Sequence, residues 1–267
     1  MKFVDLDGVT LRYRVEGDPT GPAVVFSNSL GTDLTLWDEV LSRLPQGYAL
    51  VGMDKRGHGL SSMPGPGLSI ADLGGDLLRL MDHLGLAQAV VCGLSVGGLI
   101  AQQVAKSAPQ RVRGLILCNT GAKIGSTELW NQRIAAAAEG GLAPMADGVL
   151  ARWFTEGFHA NRPADIAGYR AMLSRTPAEG YAAVCAAIRD ADYTEPTATL
   201  KLPTLCIAGD RDKATPAELV RSLAGLIEGA RYHEIASCGH LPPVEQPEDC
   251  AAQIAGFLAE LDGPAAG

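Results

Sequence analysis

Positive charge is in short supply in this chain. Its 267 residues carry 22 Lys and Arg against 30 Asp and Glu, a formal net charge of −8. A nucleic acid or an anionic membrane needs a basic face, so this balance argues against both as partners. It leaves room for a small anionic ligand, because a pocket can be locally basic inside an acidic protein. Long apolar runs are also missing. The longest uncharged apolar stretch, 89–101, is too short to span a bilayer and is broken by Gly93, Ser95, Gly97 and Gly98. The opening residues Met1-Lys2-Phe3-Val4-Asp5 hold no apolar leader, so a soluble, cytoplasmic protein is expected. The six cysteines form no CxxC pair, and histidines at metal-ligand spacing are absent. Buried free thiols are expected. No internal repeat or low-complexity tract breaks the pattern.

What is present is core-forming material. Hydrophobic residues make up 47% of the chain and charged residues 19%, enough for one or two domains with a large interior. Short apolar runs alternate with longer amphipathic stretches. Strands are predicted at 2–6, 10–15, 23–26, 48–53, 89–92, 114–118, 204–208 and 231–235, the first two forming a hairpin at Gly8. Helices are predicted at 70–84, 97–107, 216–226 and 247–261. In the first of these Leu73, Leu77, Leu80, Met81 and Leu84 recur at helical spacing. Strand–helix alternation implies a mostly parallel sheet covered on both faces. The stretch 121–196 breaks the rhythm and reads as short helices inserted between two late strands. The division is therefore core 1–120, helical cap 121–196 and core 197–267, with a tail at 263–267 expected to fray.

One pentapeptide carries chemistry. Gly93-Leu94-Ser95-Val96-Gly97 matches G-x-S-x-G and lies between a predicted strand and a predicted helix, the setting the motif needs. The turn is tight, so its flanking positions must be small, and the serine stands at a helix N-terminus that favours developing negative charge. A serine hydroxyl needs a base. His240 follows the last predicted strand and suits the chain order Ser…Asp…His. His58, in Arg56-Gly57-His58-Gly59, is the rival, but an early loop is the wrong place in that order, and it is expected to order its loop. The base needs an acid partner. Asp210 and Asp212 both follow strand 204–208; Asp212, further into the loop, is favoured, with Asp210 ordering the turn. Backbone donors for an oxyanion are expected from the amides of Val96 and of Leu30, the latter in Ser27-Asn28-Ser29-Leu30-Gly31.

With these segments in view the chain resembles the α/β-hydrolase family over its whole length. Within that family it is similar to the 3-oxoadipate enol-lactonases. The resemblance is carried by Ser27-Asn28-Ser29-Leu30-Gly31-Thr32-Asp33, Trp37, Arg56-Gly57-His58-Gly59, Ile70-Ala71-Asp72-Leu73-Gly74 and the serine elbow. At and within the insertion, Asn119-Thr120, the stretch from Trp130 to Ile134, Arg152-Trp153-Phe154-Thr155 and the stretch from Gly180-Tyr181 to Asp190 add to it. It implies an eight-stranded α/β-hydrolase fold and a triad of Ser95, Asp212 and His240. It implies opening of an enol-lactone ring in aromatic catabolism, through an acyl-enzyme and without metal or organic cofactor. Two departures stand out: Val96 where the family favours methionine, and Leu241-Pro242-Pro243 where a more polar pair is usual.

Such a substrate is a small anionic lactone and needs a cation. Arg133 is the first candidate and Arg152 its rival, with Trp153 and Trp130 as pocket walls. Other readings share the same residues: a broad carboxylesterase, a hydrolase of C–C bonds in ring-cleavage products, or a small-ligand receptor on the same fold. The sequence assigns no oligomeric state.

Overall fold

The computed structural model describes residues 1–263; of the tail 263–267 that was expected to fray, 264–267 lie outside the described residues. Eight strands form one sheet: β1 (Lys2–Leu6), β2 (Val9–Gly17), β3 (Ala23–Ser27), β4 (Ala49–Met53), β5 (Ala89–Leu94), β6 (Val112–Cys118), β7 (Thr204–Gly209) and β8 (Arg231–Ile235). Their order is β1-β2-β4-β3-β5-β6-β7-β8. The β1–β2 and β2–β4 pairs are antiparallel, and every pair from β4 to β8 is parallel. All eight predicted strands are present, with ends displaced by two residues at most.

The inner strands β3, β4, β5 and β7 are buried along their whole length. A parallel strand covered on both faces needs a continuous apolar run, which is what Ala23-Val24-Val25-Phe26 and Ala89-Val90-Val91-Cys92 supply. The edge strands β1 and β8 are the polar, partly exposed ones.

The helices are α1 (Asp38–Leu41), α2 (Ile70–His83), α3 (Val96–Ser107), α4 (Thr127–Gly140), α5 (Ala146–Trp153), α6 (Glu156–Asn161), α7 (Pro163–Arg175), α8 (Ala178–Arg189), α9 (Thr194–Ala198), α10 (Ala217–Leu226), α11 (Pro242–Glu245) and α12 (Pro247–Asp262). Helix α2 starts at a capping box between Ser69 and Asp72. It buries Leu73, Leu77, Leu80 and Met81, each burial contributing about 1.5–3 kcal/mol before entropy is counted. Helices α1 and α11 were not predicted, because a single turn carries no periodicity to detect.

Between β6 and β7 the regular elements of the described residues are all helices, from α4 to α9. Cap helix α8 packs against α4 and α2. All six cysteines are buried and free. No helix of the described residues is long and apolar enough to cross a membrane. The parallel strands all point their carboxyl ends to one edge. The loops after β3, β4, β5, β6, β7 and β8 gather there, the place where ligands bind in open α/β sheets.

Candidate active site

Ser95 sits between β5 and α3 with φ +58° and ψ −117°. That is a costly region for a residue with a Cβ, and three contacts hold the serine in it. Its amide donates to the Cys118 carbonyl at 3.0 Å and its carbonyl accepts from the Gly98 amide at 2.9 Å. The Thr120 hydroxyl donates to the same carbonyl at 2.7 Å. The small flanks are required: a Cβ on Gly93 would collide with the Gly97 backbone, and one on Gly97 with the Ser27 carbonyl. Ser95 is buried but borders a cavity.

His240 follows β8 and is 2% exposed. Its Nδ1 lies 2.8 Å from Asp212 Oδ2. With Nδ1 committed to the carboxylate, Nε2 is the ring nitrogen left for proton transfer. Asp212 is buried and accepts more than this one bond. The amides of Ala214 and Thr215 donate to Oδ1 at 2.7 and 3.0 Å, and the Thr215 hydroxyl lies 2.6 Å from Oδ2. These donors offset the cost of burying a carboxylate. Asp210 points elsewhere: its Oδ1 accepts the Cys238 amide at 3.0 Å. It orders the turn, and Asp212 is the carboxylate beside His240.

The loop after β3 supplies the second wall. Neither the Leu30 nor the Val96 amide donates to another protein group among the described residues, whereas the Gly31 amide is taken by His58 Nε2 at 2.9 Å. His58 is buried. Burial first, and then the Lys55 charge, hold its pKa well below the ordinary value, so it stays a neutral acceptor. Its place is in the loop, not beside Ser95.

Ser29, Leu30, Ser95 and His240 share their cavity with residues from the helical insertion: Trp130, Arg133, Arg152, Trp153 and Tyr181. All the candidate contact residues thus reach one space, including both arginines. Arg133 lies over the Trp130 ring at 5.5 Å from its centroid. Arg152 Nε is buried without a partner, as is the Tyr181 hydroxyl. Neither arginine forms an ion pair among the described residues. Burial, and then the nearby Arg133 charge, lower the Arg152 pKa. Two guanidinium groups without an ion pair therefore border the cavity of an acidic protein. Among the described residues no group of three or more His, Cys, Asp or Glu is placed to hold a metal.

Four residues here were given no role by the sequence: Asn119 and Tyr181 stand only in segments that carry the family resemblance, and Thr215 and Lys55 in none. Asn119, at the end of β6, is 0% exposed. Its Nδ2 donates to the Gly239 carbonyl at 2.8 Å and its Oδ1 accepts the Gly209 amide at 2.8 Å. It ties the start of the Asp212 loop to the residue before His240. Thr215 joins Asp212 to the Asn119 carbonyl, 2.8 Å away. Tyr181 lines the cavity, and Lys55 bonds the Ser29 carbonyl. For Asn119 the available signals were its segment Asn119-Thr120 and its position directly after a strand whose end faces the site. The Trp153 carbonyl also accepts the His240 amide at 2.7 Å, so the insertion helps hold the base loop.

Similarity to known proteins extends over most of the chain. The α/β-hydrolase-fold family model matches residues 22–247. The chain is 38% identical over 240 residues to 3-oxoadipate enol-lactonase 2 of Acinetobacter baylyi, covering 90% of each chain. It is 34% identical over 254 residues to 3-oxoadipate enol-lactonase 1 of the same organism, covering 95% of each. The crystal structure of the enol-lactonase from Burkholderia xenovorans LB400 superposes with a TM-score of 0.94 at 38% identity, covering 97% of this chain and 100% of that one.

Proposed function

This chain belongs to the α/β-hydrolase-fold family, and from that premise we propose that it is a serine ester hydrolase acting on a small anionic lactone. The specific substrate proposed is 3-oxoadipate enol-lactone, opened to 3-oxoadipate in aromatic catabolism. One observation carries the substrate reading. Arg133 and Arg152 border the same cavity as Ser95 and His240, and neither pairs with a carboxylate among the described residues. A neutral ester gives no use for that charge, and a bidentate guanidinium–carboxylate contact uses it well. The names of the relatives support the same substrate.

In the proposed reaction, Ser95 Oγ attacks the lactone carbonyl while His240 Nε2 takes its proton. Asp212 holds the tautomer and stabilises the imidazolium. The amides of Leu30 and Val96 receive the oxyanion. Collapse of the tetrahedral intermediate breaks the ring C–O bond. The ring oxygen leaves as an enol, with His240 returning the proton, and the enol tautomerises to a ketone. Water, deprotonated by His240, then attacks the acyl-enzyme and releases the carboxylate and Ser95. An enol leaves more readily than an alcohol, so the triad need do less for C–O cleavage. Residues 121–196 act as the cap that shields this chemistry from water.

The test is hydrolysis of the enol-lactone by the purified protein, followed as loss of its ultraviolet absorbance. Ser95→Ala is expected to lower kcat at least about 10⁴-fold. Activity on p-nitrophenyl acetate with none on the lactone would replace the lactonase reading by a broad carboxylesterase.

A further inference from the structure

The proposed mechanism leaves Lys55 unused. It lies in the loop after β4 and is 1% exposed, a rare state for lysine. Its ammonium donates to the Ser29 carbonyl at 2.7 Å and comes within ion-pair distance of no carboxylate among the described residues. The nearest acids have other partners. Asp54 accepts the amides of Leu34 and Leu60 at 2.7 and 3.0 Å, and Arg12 lies 3.2 Å from Asp54 and 3.9 Å from Asp33. Charge balance with a neighbouring carboxylate therefore does not account for the buried amine.

The bond to Ser29 does. The Ser29 carbonyl and the Leu30 amide are the two ends of one peptide group. None of the described peptide bonds is cis, and a trans peptide directs its C=O and N–H oppositely. An ammonium on the carbonyl fixes the plane of that group and draws electron density from it, which strengthens the N–H as a donor. Thr32 adds its hydroxyl to the same carbonyl at 3.0 Å. The following amide, Gly31, is already occupied by His58. The loop thus has its carbonyl held by a charge, one amide capped, and the Leu30 amide left free.

We propose that Lys55 is a positioning residue for the oxyanion site, orienting and polarising the Ser29–Leu30 peptide so that the Leu30 N–H meets the tetrahedral intermediate. This rests on the serine-hydrolase reading above. The arrangement has a thermodynamic signature. Burial pulls the Lys55 pKa down to about 7, opposed by the charges of Asp54 and then Asp33; His58, also facing it, is held neutral. The charged amine burdens the folded state, and a methionine of similar length carries no such burden. The residue trades stability for rate.

The experiment compares wild type, Lys55→Met, Lys55→Arg and Ser95→Ala on the enol-lactone and on p-nitrophenyl acetate, with an alkylboronic acid as tetrahedral probe. Lys55→Met is expected to lower kcat about 10- to 100-fold, below the loss from deleting an oxyanion donor outright. KM should stay within about threefold, boronate affinity should fall in parallel with kcat, and the melting temperature should hold or rise. Lys55→Arg should recover part of the rate. In wild type the acylation rate should fall as pH rises through the range where the amine loses its charge, and Lys55→Met should lack that fall. If Lys55→Met does not fold, a wild-type acylation rate flat from pH 6.5 to 9 overturns the proposal. Wild-type kcat and boronate affinity in a folded Lys55→Met protein also overturn it, while an inactive Ser95→Ala keeps the serine mechanism intact. An active Ser95→Ala instead removes the mechanism on which the proposal stands.

Discussion

Gly57 and Gly180 meet backbone to backbone. A Cβ on Gly180 would stand 2.5 Å from the Gly57 Cα, and one on Gly57 2.6 Å from the Gly180 Cα. Gly180 belongs to α8 in the insertion, and Gly57 to the loop that carries Lys55 and His58. The insertion thus rests directly on the segment that braces the proposed oxyanion loop.

Gly180→Ala tests that contact. In an open helix this change stabilises by up to about 1 kcal/mol. Here the neighbour is backbone and cannot yield, so overpacking decides the sign, at about 1–3 kcal/mol of lost stability. Gly168→Ala in α7 is the control, since a Cβ there meets nothing within 4 Å. Thermal unfolding should show the first destabilised and the second unchanged or stabilised. Equal effects would show that the close approach does not matter.

Asp212 and Asp210 should separate cleanly. Asp212→Asn leaves His240 Nδ1 beside a neutral amide, which favours the wrong tautomer. A kcat loss of about 10²–10⁴-fold is expected. Asp210→Asn keeps an Oδ1 that can still accept the Cys238 amide, and otherwise loses only the pairing of Oδ2 with the exposed Arg211 at 3.3 Å, a surface contact of little weight. Its kcat should stay within about threefold. Steady-state kinetics of both variants decide the assignment.

Arg133→Ala and Arg152→Ala should each raise KM for the anionic lactone about 10- to 100-fold, the scale of one hydrogen bond to a charged group. KM for p-nitrophenyl acetate should change little. Loss of Arg133 should also relieve the repulsion that lowers the Arg152 pKa, so the double variant should lose less than the product of the singles. Equal effects on the charged and neutral substrates would remove the anion-binding role.

His58 sets a pH dependence of stability. The folded ring resists protonation far below its ordinary pKa, while the unfolded ring takes a proton near 6.5. The unfolded state therefore binds more protons as pH falls below about 6.5, and stability is lost at up to about 1.4 kcal/mol per unit. His58→Gln keeps an acceptor for the Gly31 amide without titrating. Urea unfolding between pH 7 and 5 should show a shallower acid slope in the variant.

Legibility followed locality. The strands were readable because buried parallel strands must be continuous apolar runs, and Ser95 because its turn needs glycines at fixed offsets. Helices α1 and α11 were not, being single turns. Asp212 was separable from Asp210 only by loop position, and the contact that distinguishes them spans 28 residues. Asn119 was visible only within a segment that carries the family resemblance, with no role attached to it. Its two bonds, to Gly209 and Gly239, exist only once β6, β7 and the base loop lie side by side.

The amino-acid order alone determined the alternation of strand and helix, the elbow at Ser95, and the net charge of −8. Those depend on local sterics and on summed charge, neither of which needs the fold. Tertiary structure decided where charge is left unpaired. It brought Arg133 and Arg152 from separate helices into one cavity without a carboxylate, and it buried Lys55 against Ser29. Pairing and desolvation depend on which groups become neighbours in space, and only the packed chain determines that.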